Sequence, residues 1–185
     1  MRFGWWLLAG VLACSGSATP EGDHQSIDST GAPAAVRPNA PTSMAELAPG
    51  DTLGALALMR NIIDQGNDAA ATAIRRDTTM PSEGYRESRT LSLWRVGDVP
   101  VKLIATEPND AGLMRLETIV WFVSGEIAVV QEPFAMQLVD ADHVVLLTDE
   151  GMEPMAVPRT DLMAHERALV DSVAARLKVF GIGYP

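Results

Sequence analysis

The side chains that could do chemistry in this chain are few, and they begin with its one thiol. Cys14 is the sole cysteine among 185 residues, so no internal disulfide can form and no second thiolate is available to a metal. Whatever folds after it must stand on a hydrophobic core. Carboxylates could supply acid–base chemistry if a cleft shifted one pKa away from its neighbour. Glu107, Asp110, Glu117, Glu126 and Glu132 fall at the ends of strand-like segments, where acids are usually solvated. A plain hairpin register would set Glu117 opposite Glu132, a like-charge pair that costs stability unless Arg115 or a cation relieves it.

Metal chemistry has less to work with. His143 and His165 lie far apart in sequence, each without a neighbouring ligand, which does not make a zinc pattern. Asp140-Ala141-Asp142 repeats the opening spacing of a calcium loop, but Val144 stands at the next ligand position and no closing Glu follows. Met152 and Met155 make a Met-x-x-Met spacing whose thioethers suit cuprous copper, although methionine more often fills gaps in a core. No Gly-x-Ser-x-Gly elbow, P-loop or dinucleotide fingerprint is present. The net charge is -10, from 24 acidic and 14 basic residues. It opposes a phosphate backbone and an anionic membrane surface alike. No nucleic-acid partner, metal or cofactor is therefore expected, and membrane attachment would need its own device.

These groups must be positioned by the chain from residue 51 onward. Leu53, Leu56, Met59, Ile62 and Ile63 recur at helical spacing. They predict a helix over 52–65, capped by Asp51 or Thr52 and stopped at Gly66. A second short helix over 69–76 and a loop over 78–84 would follow. Strands are expected at 90–96, 101–106, 113–123, 126–131, 134–139 and 143–147. Turns would fall at Gly97-Asp98, Ser124-Gly125 and Asp140-Ala141-Asp142. Residues 155–157 would add a short edge strand between Pro154 and Pro158. Leu162, Leu169, Val173, Leu177 and Phe180 trace one stripe on a last helix, which Gly181 ends. The expected fold class is α+β: an antiparallel meander of about five to six strands packed against N-terminal and C-terminal helices, both on one face.

The plain register also sorts the two faces of the central hairpin. Met114, Leu116, Val120, Phe122, Ile127 and Val129 would share an apolar face. Arg115, Glu117, Ile119, Trp121, Ala128 and Val130 would share a mixed one. One face of a meander is usually wet. Trp121, with Arg115, Glu117 and Ile119, would then form an exposed aromatic patch with a polar rim, the make-up of a protein-binding spot.

The N-terminus carries a different signal. Met1-Arg2 is a short positive start, and residues 3–13 hold no charge. That run is too short to span a bilayer, which takes about 20 apolar residues, and it has the length of a signal-peptide core. It ends Val11-Leu12-Ala13-Cys14: an aliphatic residue, a tolerant position, a small residue, then the thiol. This resembles the lipobox of bacterial lipoproteins, and the resemblance covers the leader alone. It implies cleavage between Ala13 and Cys14, a diacylglyceryl thioether on the Cys14 sulfur, and acylation of the new amino terminus. Ser15 follows, where aspartate would imply inner-membrane retention, so the resemblance implies the outer membrane, on its periplasmic or surface face. Residues 15–50 are dominated by Ser, Thr, Pro, Gly and Ala without an aromatic side chain, and read as a flexible tether.

The expected organisation is a signal peptide over 1–13, a lipidated cysteine and linker over 14–50, and a single α+β domain over 51–185. The expected role is a non-enzymatic interaction or accessory module of the cell envelope, held on a membrane by its lipid and meeting an envelope protein partner. An envelope hydrolase using surface carboxylates and a metal-handling protein are the alternatives.

Overall fold

The structure, a computed structural model, describes residues 41–81, 88–108 and 115–184. The leader with Ala13 and Cys14, most of the expected linker, Asp110 and Met114 lie outside the described residues. Arg115 is described through its backbone alone.

Asp51 accepts a hydrogen bond from the Gly54 N–H (2.9 Å) and caps α1, Thr52–Thr72. The helix does not stop at Gly66 but runs through it. Gly66 is buried, and a Cβ built there would come 2.5 Å from Trp121 Cδ1. It is a glycine of close approach, not of termination. The chain leaves α1 at Ala73 and enters β1, Ile74–Met80, directly. The expected short helix at 69–76 is therefore replaced by the end of α1 and the start of β1, which also takes 78–80 from the expected loop at 78–84; residues 82–84 lie outside the described residues. β1 is an edge strand and is mostly exposed, so it has no apolar alternation to read.

Six further strands follow: β2 (Arg89–Val96), β3 (Val99–Pro108), β4 (Arg115–Val123), β5 (Glu126–Glu132), β6 (Ala135–Asp140) and β7 (His143–Asp149). With β1 they form one seven-stranded sheet, each strand antiparallel to the next in chain order. α2, Arg159–Val179, closes the fold. The α+β meander between two helices is as expected, with more strands than anticipated. Ser124-Gly125 and Ala141-Asp142 make two-residue turns with both residues at positive φ, the twist that suits a tight hairpin. No strand forms at 155–157. Thr148 makes one isolated bridge to Pro154, and the Met155 N–H donates to Leu147 O (2.9 Å). Prolines on both sides remove the donors a longer ladder needs.

A bulge in β5 decides which side chain faces where. Trp121 pairs with Val129 but Phe122 pairs with Ile127, leaving Ala128 as an extra residue. Val120 then meets Val130, and Ile119 meets Gln131. Val129 and Val130 thus exchange faces relative to the plain register. Trp121, Ala128, Val129 and Leu138 pack under Leu58, Met59 and Ile62 of α1. Leu93, Leu103, Val120 and Val130 pack under Leu169, Val173 and Leu177 of α2. The helices lie on opposite faces of the sheet, not together on one. The cause is local. Ile119 to Val123 is an unbroken apolar run, so both sides of β4 need cover.

At about 1.5 Å per residue α2 is about 31 Å long, close to the width of seven strands spaced about 4.8 Å. It reaches both edge strands, β1 and β7. Its C-terminus closes with the Ile182 N–H on Leu177 O (3.1 Å) and the Gly181 N–H on Lys178 O (3.0 Å), Gly181 taking a φ of 78°. Its N-terminal half is clasped to β7 by Glu166. That buried carboxylate accepts from the Val144 N–H (2.7 Å) and from Arg159 Nη1 (2.6 Å), and faces His143 Nδ1 at 3.4 Å.

Candidate functional site

The expected partner surface is not open at Trp121, because α1 covers that part of the face it shares with Ile119 and Glu117. Trp121 is 3% exposed and lies under α1. Its Nε1 donates to Asn67 Oδ1 (3.1 Å), and the same oxygen accepts from Lys102 Nζ (2.7 Å). Lys102 also stands 5.3 Å above the Trp121 ring. Burial pushes the Lys102 ammonium below its ordinary pKa, against the pull of Glu117. Ile119 is half-buried against the α1 cluster, and Glu117 is exposed. Trp121 is therefore core, anchored by a polar triad, and not an aromatic patch open to a partner. Trp94 on β2 is the half-buried indole further along this face, with the Arg75 guanidinium 5.0 Å from its ring.

The carboxylate pair is also undone by the bulge. Glu117 pairs across with Thr106 on β3, while Ile119, not Glu117's other neighbours, meets Gln131. Glu117 lies on the α1 face with Trp121. Glu132 lies on the α2 face, where its Oε2 accepts from Gln137 Nε2 (2.7 Å) and stands 3.3 Å from His165 Nε2. His165 is half-buried rather than a free helix-surface group, and its Nε2 is also 3.1 Å from the fully buried Gln137 Oε1. Glu132 and His165 border a polar cavity of about 470 Å³ between α2 and the sheet, with Arg89 and Arg176 on its wall. Its charges are largely answered from within. Arg89 Nε stands 2.6 Å from Glu107 Oε2, an ion pair although the N–H does not point at the oxygen.

The metal candidates are not brought together. Among the described residues, no three His, Cys, Asp or Glu side chains could hold a metal ion jointly. His143 joins the Glu166 clasp, and His165 joins Glu132 and Gln137. Met152 Sδ accepts from Arg60 Nε (3.4 Å), and Met155 is exposed. Asp140 ends β6 and Asp142 lies in the β6–β7 turn, beside a different cavity.

That cavity, about 440 Å³, opens at the end of the sheet that carries the β4–β5 and β6–β7 turns. Leu58 and Ile62 of α1 form one wall, and Val123, Ile127, Ala128 and Val139 form the other. Ile127 and Ala128, adjacent on β5, point to opposite faces of the sheet, so the lining draws on both cores. Thr42 to Met44 and Tyr184 border its mouth, with Glu126, Asp140 and Asp142. Tyr184 ties the C-terminal tail to both hairpin turns. Its hydroxyl accepts from the Ile127 N–H (3.3 Å), and it lies 3.1 Å from Asp142 Oδ1 and 3.4 Å from Glu126 Oε2. Burial, aided by the two carboxylates, pushes its pKa up to about 12. A mostly apolar hollow of this size with a few convergent polar groups is the usual form of a small-molecule site. Sequence reading named Glu126, Asp140 and Asp142 only as solvated or calcium-like acids, and it missed Tyr184.

The chain matches no protein-family model, no curated protein and no solved structure. No helix among the described residues is long and apolar enough to cross a membrane.

Proposed function

We propose that this protein is a lipid-anchored lipoprotein of the cell envelope that acts without catalysis, by taking an apolar small molecule into the cavity between α1 and the hairpin turns. The single observation that carries the binding role is that cavity: about 440 Å³, walled by aliphatic side chains from both cores and open to solvent at one end. It lies within the range of natural ligand pockets, about 300–1,000 Å³. The anchor rests on the uncharged run over 3–13 that ends Val11-Leu12-Ala13-Cys14. The outer membrane is the proposed address because Ser15, not aspartate, follows the cysteine.

Two measurements test this reading. The uncharged fluorophore N-phenylnaphthylamine should brighten on binding the full chain. Ala128→Phe, which fills the hollow from the bulge, should abolish the signal with the circular dichroism spectrum unchanged. Absence of brightening with the wild-type chain would remove the binding role. Cys14→Ala should move the protein from the membrane to the soluble fraction and abolish incorporation of labelled fatty acid. Unchanged fractionation would remove the anchor.

A further inference from the structure

Among the described residues, the mouth of the apolar cavity carries acids and no base. Glu126, Asp140 and Asp142 border it, and its described lining residues include no Lys, Arg or His. Two of the three acids are in tension. The Tyr184 hydroxyl lies 3.1 Å from Asp142 Oδ1 and 3.4 Å from Glu126 Oε2, yet it has one proton and can donate to one of them at a time. Its remaining acceptor capacity is already used by the Ile127 N–H at 3.3 Å. One carboxylate is therefore always left facing the other without that donor. Both carboxylates are exposed, so water screens much of their repulsion, but a cation placed between them would meet both at once.

The site would then have two parts with different chemistry: an aliphatic interior and a mouth whose described charged groups are all acids. We infer that the cavity takes a cationic amphiphile, its hydrocarbon part between Leu58, Ile62, Ile127 and Val139 and its ammonium head against Asp142 and Glu126. This rests on the apolar-guest reading above and names the class of guest. A protonated amine supplies up to three donors, enough for both carboxylates at once, and charge-assisted bonds of this kind are stronger than neutral ones. A fatty acid of equal length would fill the same hollow but bring a fourth negative charge to the rim.

The test is competition against N-phenylnaphthylamine on the full chain carrying Cys14→Ala, which needs no detergent. Dodecylamine, dodecanol and dodecanoate serve as competitors at pH 7, each below its aggregation limit. Dodecylamine should compete about tenfold more strongly than dodecanol, the size of one charge-assisted contact, and dodecanoate should compete least. Glu126→Gln with Asp142→Asn should bring dodecylamine and dodecanol level while the fluorophore still binds. Asp68→Asn with Glu150→Gln, which removes the same charge from exposed sites elsewhere, should leave the preference intact. Should the rim variant fail to fold, high salt on the wild-type chain must shrink the preference by screening. Equal competition by amine and alcohol overturns this inference and leaves the apolar-guest reading standing. A preference lost equally in the Asp68/Glu150 control also overturns it, because the general field of the chain would then be the cause. No fluorophore binding at all overturns both.

Discussion

Gly66 lies against Trp121 so closely that a single added methyl would stand 2.5 Å from the indole Cδ1. The contact joins the helix that covers one face of the sheet to the strand at the sheet's centre. Asn67, the next residue, takes the indole N–H. Position 66 thus sets how near α1 can come, and position 67 sets its rotation about Trp121.

Gly66→Ala should destabilise the domain in spite of alanine's better helix propensity. The propensity gain is about 1 kcal/mol. Forcing a methyl into a packed core costs about 1–3 kcal/mol, and the opposing atom belongs to a buried ring rather than to a movable chain end. The expected net is a loss of about 1 kcal/mol, read as a lower urea midpoint. A raised midpoint would show that α1 can lift away freely.

Trp121→Ala should cost about 3–5 kcal/mol, the range for deleting a large buried aromatic, and in a domain without disulfides that loss should be visible as partial unfolding at ambient temperature. Trp121→Phe should cost less, keeping the ring but releasing Asn67. A folded, fully stable Trp121→Ala would return the residue to the surface role that the plain register assigned it. Chemical denaturation followed by circular dichroism distinguishes these outcomes.

Glu166→Gln should loosen α2 from β7 and flatten the acid limb of the stability curve. Burial raises the Glu166 pKa, but the Val144 N–H, Arg159 and His143 together outweigh it and hold the carboxyl below its ordinary value. A lowered folded pKa means stability that is present above the unfolded value, about 4.3, and lost as pH falls through the folded one. Wild type should therefore lose more stability than Glu166→Gln between pH 5 and pH 3, on approximate bounds set by that reference value. At pH 7 the variant should be weaker by about 1–3 kcal/mol. Identical acid limbs for the two chains would remove the clasp.

Tyr184 should titrate late, and its titration should unfasten the C-terminal tail. Its folded pKa is pushed up to about 12, against an unfolded value of about 10. A raised folded pKa gives stability that is full below the unfolded value and lost as pH rises through the folded one. Ultraviolet absorbance should show a phenol ionising near 12 that is missing from Tyr184→Phe. Wild type should lose stability over this alkaline interval more steeply than the variant. An early phenolate at position 184 would mean that the tail does not sit at the cavity mouth.

Much of the fold was legible in the sequence because local patterns carry it. The Asp51 cap, the Ser124-Gly125 turn, the strands from 90 to 147 and the Gly181 stop each depend on a few neighbouring residues, and each stands where expected. The proposed leader over residues 3–13 rests on sequence pattern alone. The tertiary structure decided the rest. Gly66 has no local mark that tells a helix end from a helix contact; only the indole opposite it does. β1 escaped notice because an exposed edge strand has no apolar period. The largest change came from one residue. The Ala128 bulge reverses the face of the β5 side chains beyond it and so separates Glu117 from Glu132, while α1, packed on the face that Trp121 keeps in either register, buries the indole. Side chains alternate with a period of two along a strand, so a single inserted residue exchanges the faces of a sheet. Composition leaves that insertion invisible, because Ile127, Ala128, Val129 and Val130 are all apolar and each would be buried in either register.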